Sequence, residues 1–201
     1  MIKAVLFDMD GVLIDARNWH YEALNGALSP FGFNINEELH LSKLDGLPTK
    51  VKLNYLTDNF HLPKSIHGLI FNLKQDLTNR LASYNCKPNV QHLEMLSNLK
   101  AFNIKVGVVT NSIRRTSQLM LDLAGITSYV DLLVTNEDVE RSKPFPDPYI
   151  KALNILKLKS EDVLVIEDSQ HGIESAVNAK CRVLEVRNPT DLSWNLISGS
   201  L

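Results

Sequence analysis

Two aspartates, Asp8 and Asp10, stand directly after the apolar run Ala4, Val5, Leu6 and Phe7, with Gly11 behind them. Like charges so close repel, and hard oxygen ligands of this kind suit a divalent cation such as Mg²⁺. Three further polar groupings follow: Thr110-Asn111-Ser112, Lys143, and the pair Glu167-Asp168. Carboxylates, a lysine and hydroxyl or amide donors are the residue types that phosphoryl transfer uses. The group in transit is already highly charged, so catalysis is mostly positioning and neutralisation. In that chemistry Asp8 attacks phosphorus and carries an aspartyl-phosphate, as nucleophilic carboxylates do. Asp10 protonates the leaving alcohol and later takes a proton from the attacking water. Asp168, with Glu167 beside it, completes the Mg²⁺ shell or orders its waters. Thr110 and Asn111 donate to phosphoryl oxygens, and Lys143 screens the charge between nucleophile and phosphate.

Each of these residues also has a purely structural use. Asp8 and Asp10 can form an acidic turn that closes a strand. Thr110 and Asn111 can cap the next helix, and Lys143 can be a solvated loop lysine. Glu167 and Asp168 can be an acidic helix start set against the dipole. What favours chemistry is that all four groupings fall at equivalent points of one architecture. The run ending at Phe7 reads as a strand buried on both faces. From Pro88 onward, helix and strand alternate, as in a parallel sheet covered by helices. The expected helices are Val90 to Phe102, Thr116 to Ala124, Pro148 to Leu156 and Gly172 to Ala179. The expected strands are Lys105 to Val109, Leu132 to Thr135, Val163 to Ile166 and Val183 to Val186. Ligands of such sheets bind beyond the carboxyl ends of the strands, which is where the four groupings stand.

Between Ala16 and Lys87 the pattern is helical. Trp19, Ala23, Leu24, Ala27 and Leu28 recur at helical spacing before Pro30 and Gly32 end the run. Further helices are expected over Glu37 to Lys43, Lys50 to Phe60 and Ile66 to Tyr84. The last carries Leu69, Ile70, Leu73, Leu77 and Leu81 on one face. The fold class is therefore α/β: a Rossmann-like parallel sheet core, residues 1–15 and 88–201, with an inserted four-helix cap, residues 16–87. Within the cap His20, Thr49 and Lys50 are the candidates for substrate selection. For His20, packing as an ordinary helix residue is an equal alternative.

Twenty-one basic residues against 23 acidic ones leave a net charge of −2, with no basic run. That balance argues against nucleic acid or membrane lipid as the main partner. No apolar run approaches the length of a membrane span, and the N-terminal residues lack the layout of a secretory signal. Cys86 and Cys181 form no C-x-x-C pair, so they are expected to be reduced thiols in a cytoplasmic protein, with a single bridge as the alternative. The near-neutral chain with a closed core is expected to be a monomer.

The segments FDMDGVLID (Phe7 to Asp15), VVTNS (Val108 to Ser112), SKPFPDPY (Ser142 to Tyr149) and VIEDSQHGIESA (Val165 to Ala176) resemble, in order and spacing, those of the haloacid dehalogenase-like hydrolases. The branch concerned has a helical cap inserted after the first strand. This resemblance implies a mobile cap and Mg²⁺ held by Asp8, the main-chain carbonyl of Asp10, and Asp168. It also implies Asp8 as nucleophile and Asp10 as general acid/base. The dehalogenases of the superfamily lack an aspartate at the position of Asp10, so its presence points to phosphoryl transfer. Sugar-phosphate mutases similar to β-phosphoglucomutase carry a histidine where His20 stands and a glycine where Gly46 stands. They also have an arginine shortly afterwards, where this chain has Leu47-Pro48-Thr49-Lys50. Phosphonoacetaldehyde hydrolases use a cap lysine, but the pattern around Lys50 and Lys52 differs from theirs. The expected function is thus a Mg²⁺-dependent phosphatase for a small phosphorylated metabolite, a sugar or polyol phosphate. A mutase and a non-catalytic binding domain are the alternatives. Every position needed for turnover is present, which a retired enzyme has no reason to keep.

Overall fold

In the computed structural model, which describes residues 1–201, the apolar run Ala4–Phe7 forms strand β1 with every side chain buried. The chain then leaves the sheet for four helical segments: Arg17–Leu28 (α1), Glu37–Leu39 (α2), Thr49–Phe60 (α3) and His67–Asn85 (α4). It returns through Val90–Ala101 (α5), whose first turn is capped by the Asn89 side chain. The remainder alternates: Lys105–Val109 (β2), Arg114–Leu123 (α6), Leu132–Val134 (β3), Asp147–Leu156 (α7), Val163–Glu167 (β4), Gln170–Asn178 (α8), Arg182–Glu185 (β5) and Trp194–Ser198 (α9).

The five strands form one parallel sheet in the order β3-β2-β1-β4-β5. Val5 sits in register between Val106 and Leu164. Both faces of the sheet are covered, so successive strand residues feed two different cores. Val5 and Phe7 join Met95 and Leu99 of α5 and Met120 of α6, while Ala4 and Leu6 join Tyr149 and Ala152 of α7. The tail packs as expected: Leu192 and Ile197 are buried, and Trp194 stacks on Phe102 at 5.4 Å. Helices α1, α3 and α4 close over a third cluster of their own, with Leu24, Leu28, Leu53, Leu56 and Ile70 at its centre. Cys86 and Cys181 are both free and buried. No helix is long and apolar enough to cross a membrane.

Four local expectations need correction, the first being that the helix expected from Gly172 starts two residues earlier, at Gln170. The helix expected over Glu37 to Lys43 is α-helical only to Leu39. It then widens, with the Asp45 N–H bonding back to the His40 carbonyl at 2.8 Å. The helix expected from Thr116 starts two residues earlier, at Arg114. On α4, Leu69 and Leu73 are exposed, whereas Ile70, Lys74, Gln75, Thr78 and Ala82 are buried. The inward face of α4 is largely polar because it looks onto a polar pocket and onto Thr116 of α6, whose hydroxyl meets Gln75 and Asn79.

Candidate active site

β1 lies between β2 and β4, the point where successive connections run to opposite sides of the sheet, and a crevice opens there beyond the strand ends. Four loops deliver side chains into it. The turn after β1 carries Asp8 and Asp10. It closes through a Gly11 N–H bond to the Ile14 carbonyl at 2.7 Å. Gly11 has φ +95°, and a Cβ there would overlap the Asp168 carboxylate, so only glycine lets the two loops approach. The segment after β2 carries Thr110 to Ser112, the loop after β3 carries Lys143, and β4 ends at Glu167 and Asp168.

Lys143 is the hub. It is 3 % exposed, and its ammonium donates to Asp8 Oδ1 at 2.6 Å, Glu167 Oε1 at 2.5 Å and the Val109 carbonyl at 2.7 Å. All three of its donors are thereby used. Glu167, wholly buried, also accepts from Tyr149 Oη at 2.7 Å through Oε1. Its Oε2 accepts from the Asp168 N–H and the Ser169 hydroxyl. Glu167 is therefore saturated by protein donors. A side chain at Gly172 would overlap its carboxylate, so the first turn of α8 leaves room for it only as glycine.

Asn111 spans two loops and the helical layer. Its amide donates to the Gly46 carbonyl at 2.7 Å and to the Lys143 carbonyl at 3.2 Å, and its Oδ1 accepts from the Lys143 N–H. Thr110 is buried and its hydroxyl accepts from the Ser112 N–H. Neither residue caps α6, which begins after Ile113 without a side-chain cap. Ser112 donates to Asp10 Oδ2 at 2.7 Å.

From the helical layer, His20 reaches the site: its Nε2 lies 3.2 Å from Asp10 Oδ1, and its Nδ1 lies 3.1 Å from Lys74 Nζ. Thr49 is buried and lines the pocket. Lys50 does not reach it. One residue along α3 from Thr49, Lys50 is turned about 100° away by the helical repeat, and it lines a separate surface hollow with Asn54 and His67. Lys52, on the same face as Thr49, takes the inward position instead. Sequence reasoning also missed Arg17, Lys74 and Gln75, all of which line the pocket. Arg17 is held by Asp45 at 3.0 Å and by Asp168 Oδ2 at 2.9 Å. For Lys52 a signal existed: Leu53 and Leu56 set the buried phase of α3, and Thr49 and Lys52 share it.

The electrostatics match the crowding. Burial, against the pull of Lys143 and with the push of Glu167 and Asp168, raises the Asp8 carboxyl well above the usual range. Burial, reinforced by Glu167 and opposed by Arg17, raises Asp168 to about 7. Asp10 is held below the usual carboxylate value: burial works upward, but His20 and Ser112 outweigh it. Lys143 is raised, because Asp8 and Glu167 overcome the opposing effect of burial.

Oxygens of Asp8, Glu167 and Asp168 lie within 4.8 Å of one another. Asp168 Oδ1 is buried and accepts no hydrogen bond. Asp8 and Asp168, both raised and the second with an orphaned oxygen, fit a hard divalent cation such as Mg²⁺, whereas both oxygens of Glu167 are already taken by protein donors.

Comparison with known proteins bears on the same residues. The sequence pattern of the haloacid dehalogenase-like hydrolases matches residues 5–186. A phosphorylated carbohydrates phosphatase of Thermotoga maritima is 30 % identical over 178 residues, 89 % of this chain and 82 % of that protein. The pyrophosphatase PpaX of Bacillus cereus is 29 % identical over 208 residues, covering 97 % and 85 %. In fold, the chain is similar to the crystal structure of β-phosphoglucomutase from Clostridium difficile. The TM-score is 0.87 at 21 % identity, over 99 % of this chain and 96 % of that one. With the family pattern spanning all four loops, the chain belongs to the haloacid dehalogenase-like hydrolases.

Proposed function

We propose that the protein is a Mg²⁺-dependent phosphatase that hydrolyses a small phosphorylated metabolite, a sugar or polyol phosphate, through an aspartyl-phosphate on Asp8. The observation that carries this reading is the convergence of Asp8, Asp10, Lys143 and Asp168 from three loops onto one buried pocket. The phosphatase relatives support it.

Asp8 attacks phosphorus, an Asp8–phosphorus oxygen bond forms, and the bond to the alcohol oxygen breaks. Asp10, kept in place by Ser112 and His20, gives that oxygen its proton. Water then attacks phosphorus, passes its proton to Asp10 and frees Asp8. Lys143 holds the Asp8 carboxylate in one orientation and offsets the charge that builds up between it and the phosphoryl oxygens. Glu167 positions Lys143 through its ion pair with the ammonium. The Thr110 hydroxyl would donate to those oxygens, while the Asn111 amide, already bonded to the Gly46 and Lys143 carbonyls, would hold the loops around them. Asp8, the main-chain carbonyl of Asp10, and Asp168 would hold the Mg²⁺, which neutralises phosphoryl charge when bound.

The test is phosphate release from sugar, polyol and glycolate phosphates, nucleotides and pyrophosphate, with Mg²⁺ and with a chelator. Release from a sugar or polyol ester that stops in chelator is the expected result. No release from any ester with Mg²⁺ present would sink the reading. The same panel addresses a mutase through interconversion of hexose 1- and 6-phosphates. His20, at the position of the mutases' histidine, does meet Asp10, but Thr49 and an outward Lys50 stand where the mutases carry their arginine.

We further propose that residues 16–87 act as a cap that opens for substrate and closes to exclude water, against a core of residues 1–15 and 88–201. The separate apolar cluster of α1, α3 and α4 supports this division. So do the polar ties across the crevice, from Asn111 to Gly46 and from Arg17 to Asp168. Hydrogen exchange at residues 44–49 should slow several-fold when orthovanadate and Mg²⁺ are added together. Unchanged exchange there would rule out closure.

A further inference from the structure

Arg17 stands where the helix itself gives no reason for it. It is the first residue of α1, and the first turn of a helix favours acidic side chains, of which this turn has none. Its partners explain the choice. Nε pairs with Asp45 Oδ2 at 3.0 Å, and Nη2 pairs with Asp168 Oδ2 at 2.9 Å. Asp45 lies in the loop before α3, while Asp168 follows β4. The guanidinium therefore bridges the helical layer and the sheet. Beside it the Asn111 amide bonds to the carbonyl of Gly46, the residue after Asp45.

The two oxygens of Asp168 are treated differently. Oδ2 is taken by Arg17 and lies against the turn at Gly11, where a Cβ would overlap it. Oδ1 is buried and accepts nothing. Asp168 is also one of the carboxylates that converge with Asp8 within 4.8 Å. A divalent cation in that cluster and the guanidinium of Arg17 would thus draw on one carboxylate.

We propose that Arg17 is a latch that couples cation loading to the position of the helical layer: it holds Asp168 while the layers are closed, and a divalent cation at Asp8 and Asp168 weakens that hold. Arg17 acts on such a cation in two opposite ways. It pins a short side chain and so readies Oδ1 as a ligand, but ordering one such side chain is worth little. Against that, guanidinium and cation place like charges on one carboxylate, in a crevice that water screens poorly. The repulsion is the larger effect, and Asp45 offsets only part of it. By linkage, whatever factor Arg17 takes from cation affinity, the cation takes from the closed state. In Mg²⁺ alone the crevice therefore loosens, which admits an ester. The dianionic phosphoryl group then offsets both positive charges and lets the crevice shut. That last step rests on the phosphatase reading; the coupling of Arg17 to the cation does not.

Calorimetric titration of Mg²⁺ into the protein, with no ester present, reads the coupling directly. It is run at pH ~8.5, where the Asp168 carboxyl, raised to about 7, is ionised. Arg17→Met should bind Mg²⁺ about tenfold more tightly than the parent, within the ordinary range of coupling between two sites. Asp45→Asn should bind it several-fold less tightly, because the guanidinium is then left with Asp168 alone. Arg17→Lys, which keeps the charge, should lie close to the parent. Hydrogen exchange at residues 44–47 should quicken several-fold in Mg²⁺ alone for the parent and stay unchanged for Arg17→Met. A side chain that only braced α1 would move neither reading. Melting curves in chelator check that each variant is folded, and Arg17→Gln replaces the methionine variant if that one is not. Equal or weaker Mg²⁺ binding by the folded variant, parent exchange that Mg²⁺ leaves unmoved, or no Mg²⁺ binding at all would overturn the latch. Ester hydrolysis is read separately. If no ester is hydrolysed while the affinities shift as stated, the phosphatase reading fails and the latch stands; hydrolysis with unshifted affinities means the reverse.

Discussion

Asp8→Asn should turn over phosphate esters at no more than about a thousandth of the parent rate, the scale of loss when a catalytic nucleophile is removed. The amide has the shape of the carboxylate, so it can still accept from Lys143. What it lacks is the negative oxygen that attacks phosphorus. The loss should appear in kcat rather than only in KM, because bond formation at Asp8 belongs to the reaction and not to capture of the ester. Folding should survive the change. Burial, Glu167 and Asp168 work against the Asp8 carboxylate while Lys143 supports it, so a neutral side chain relieves repulsion there at the cost of one ion pair. Phosphate release alongside a thermal melt reads both halves. A variant that melts like the parent and keeps a tenth of its rate would remove Asp8 from the role of nucleophile.

Lys143→Met should have the largest effect on stability. The ammonium is the only cation in contact with two buried carboxylates, Asp8 at 2.6 Å and Glu167 at 2.5 Å. Taking one member from a buried ionic cluster leaves uncompensated charge, which typically costs about 3–5 kcal/mol. Urea unfolding in chelator, where no added cation substitutes for the lysine, should show a loss of that size. The double variant Lys143→Met with Glu167→Gln should recover a substantial part of it, since one of the stranded charges is then gone, while phosphatase activity stays lost. Stability within about 1 kcal/mol of the parent for the single variant would contradict the ionic account of this cluster.

The sheet was legible in the sequence because its strands are buried on both faces. Lys105–Val109 is the strand expected, and the other strand positions move by no more than a residue at either end. A continuous apolar run of that length has few other uses. The residues at the strand ends were legible for a related reason: Asp8, Thr110 and Asp168 follow such runs, and the sheet alone brings them together. The helical layer was harder. On α4, leucine spacing pointed to Leu69 and Leu73 as the inward face, yet both are exposed. The rule that the apolar stripe faces inward presumes an apolar interior, and here the interior is a charged crevice that takes Lys74 and Gln75. Lys50 misled for the opposite reason. It was singled out for its charge, although the phase set by Leu53 and Leu56 turns Lys52 inward. Arg17 left no pattern at all, because its partners Asp45 and Asp168 are far from it in the chain.

The register of β1 bears on how the molecule comes to be assembled. Ala4–Phe7 is the middle strand, and its two neighbours are Lys105–Val108 and Val163–Ile166. Pairings so distant along the chain carry a high loop-closure cost and form late, whereas α1, α3 and α4 enclose a cluster whose contacts are much more local. During synthesis β1 must therefore wait, apolar and unpaired, while the helices behind it collapse around their own core. It gains its first neighbour when β2 has been made and its second only with β4. Asp8 and Asp10 are thus translated before the residues they work with, and they reach their working geometry last.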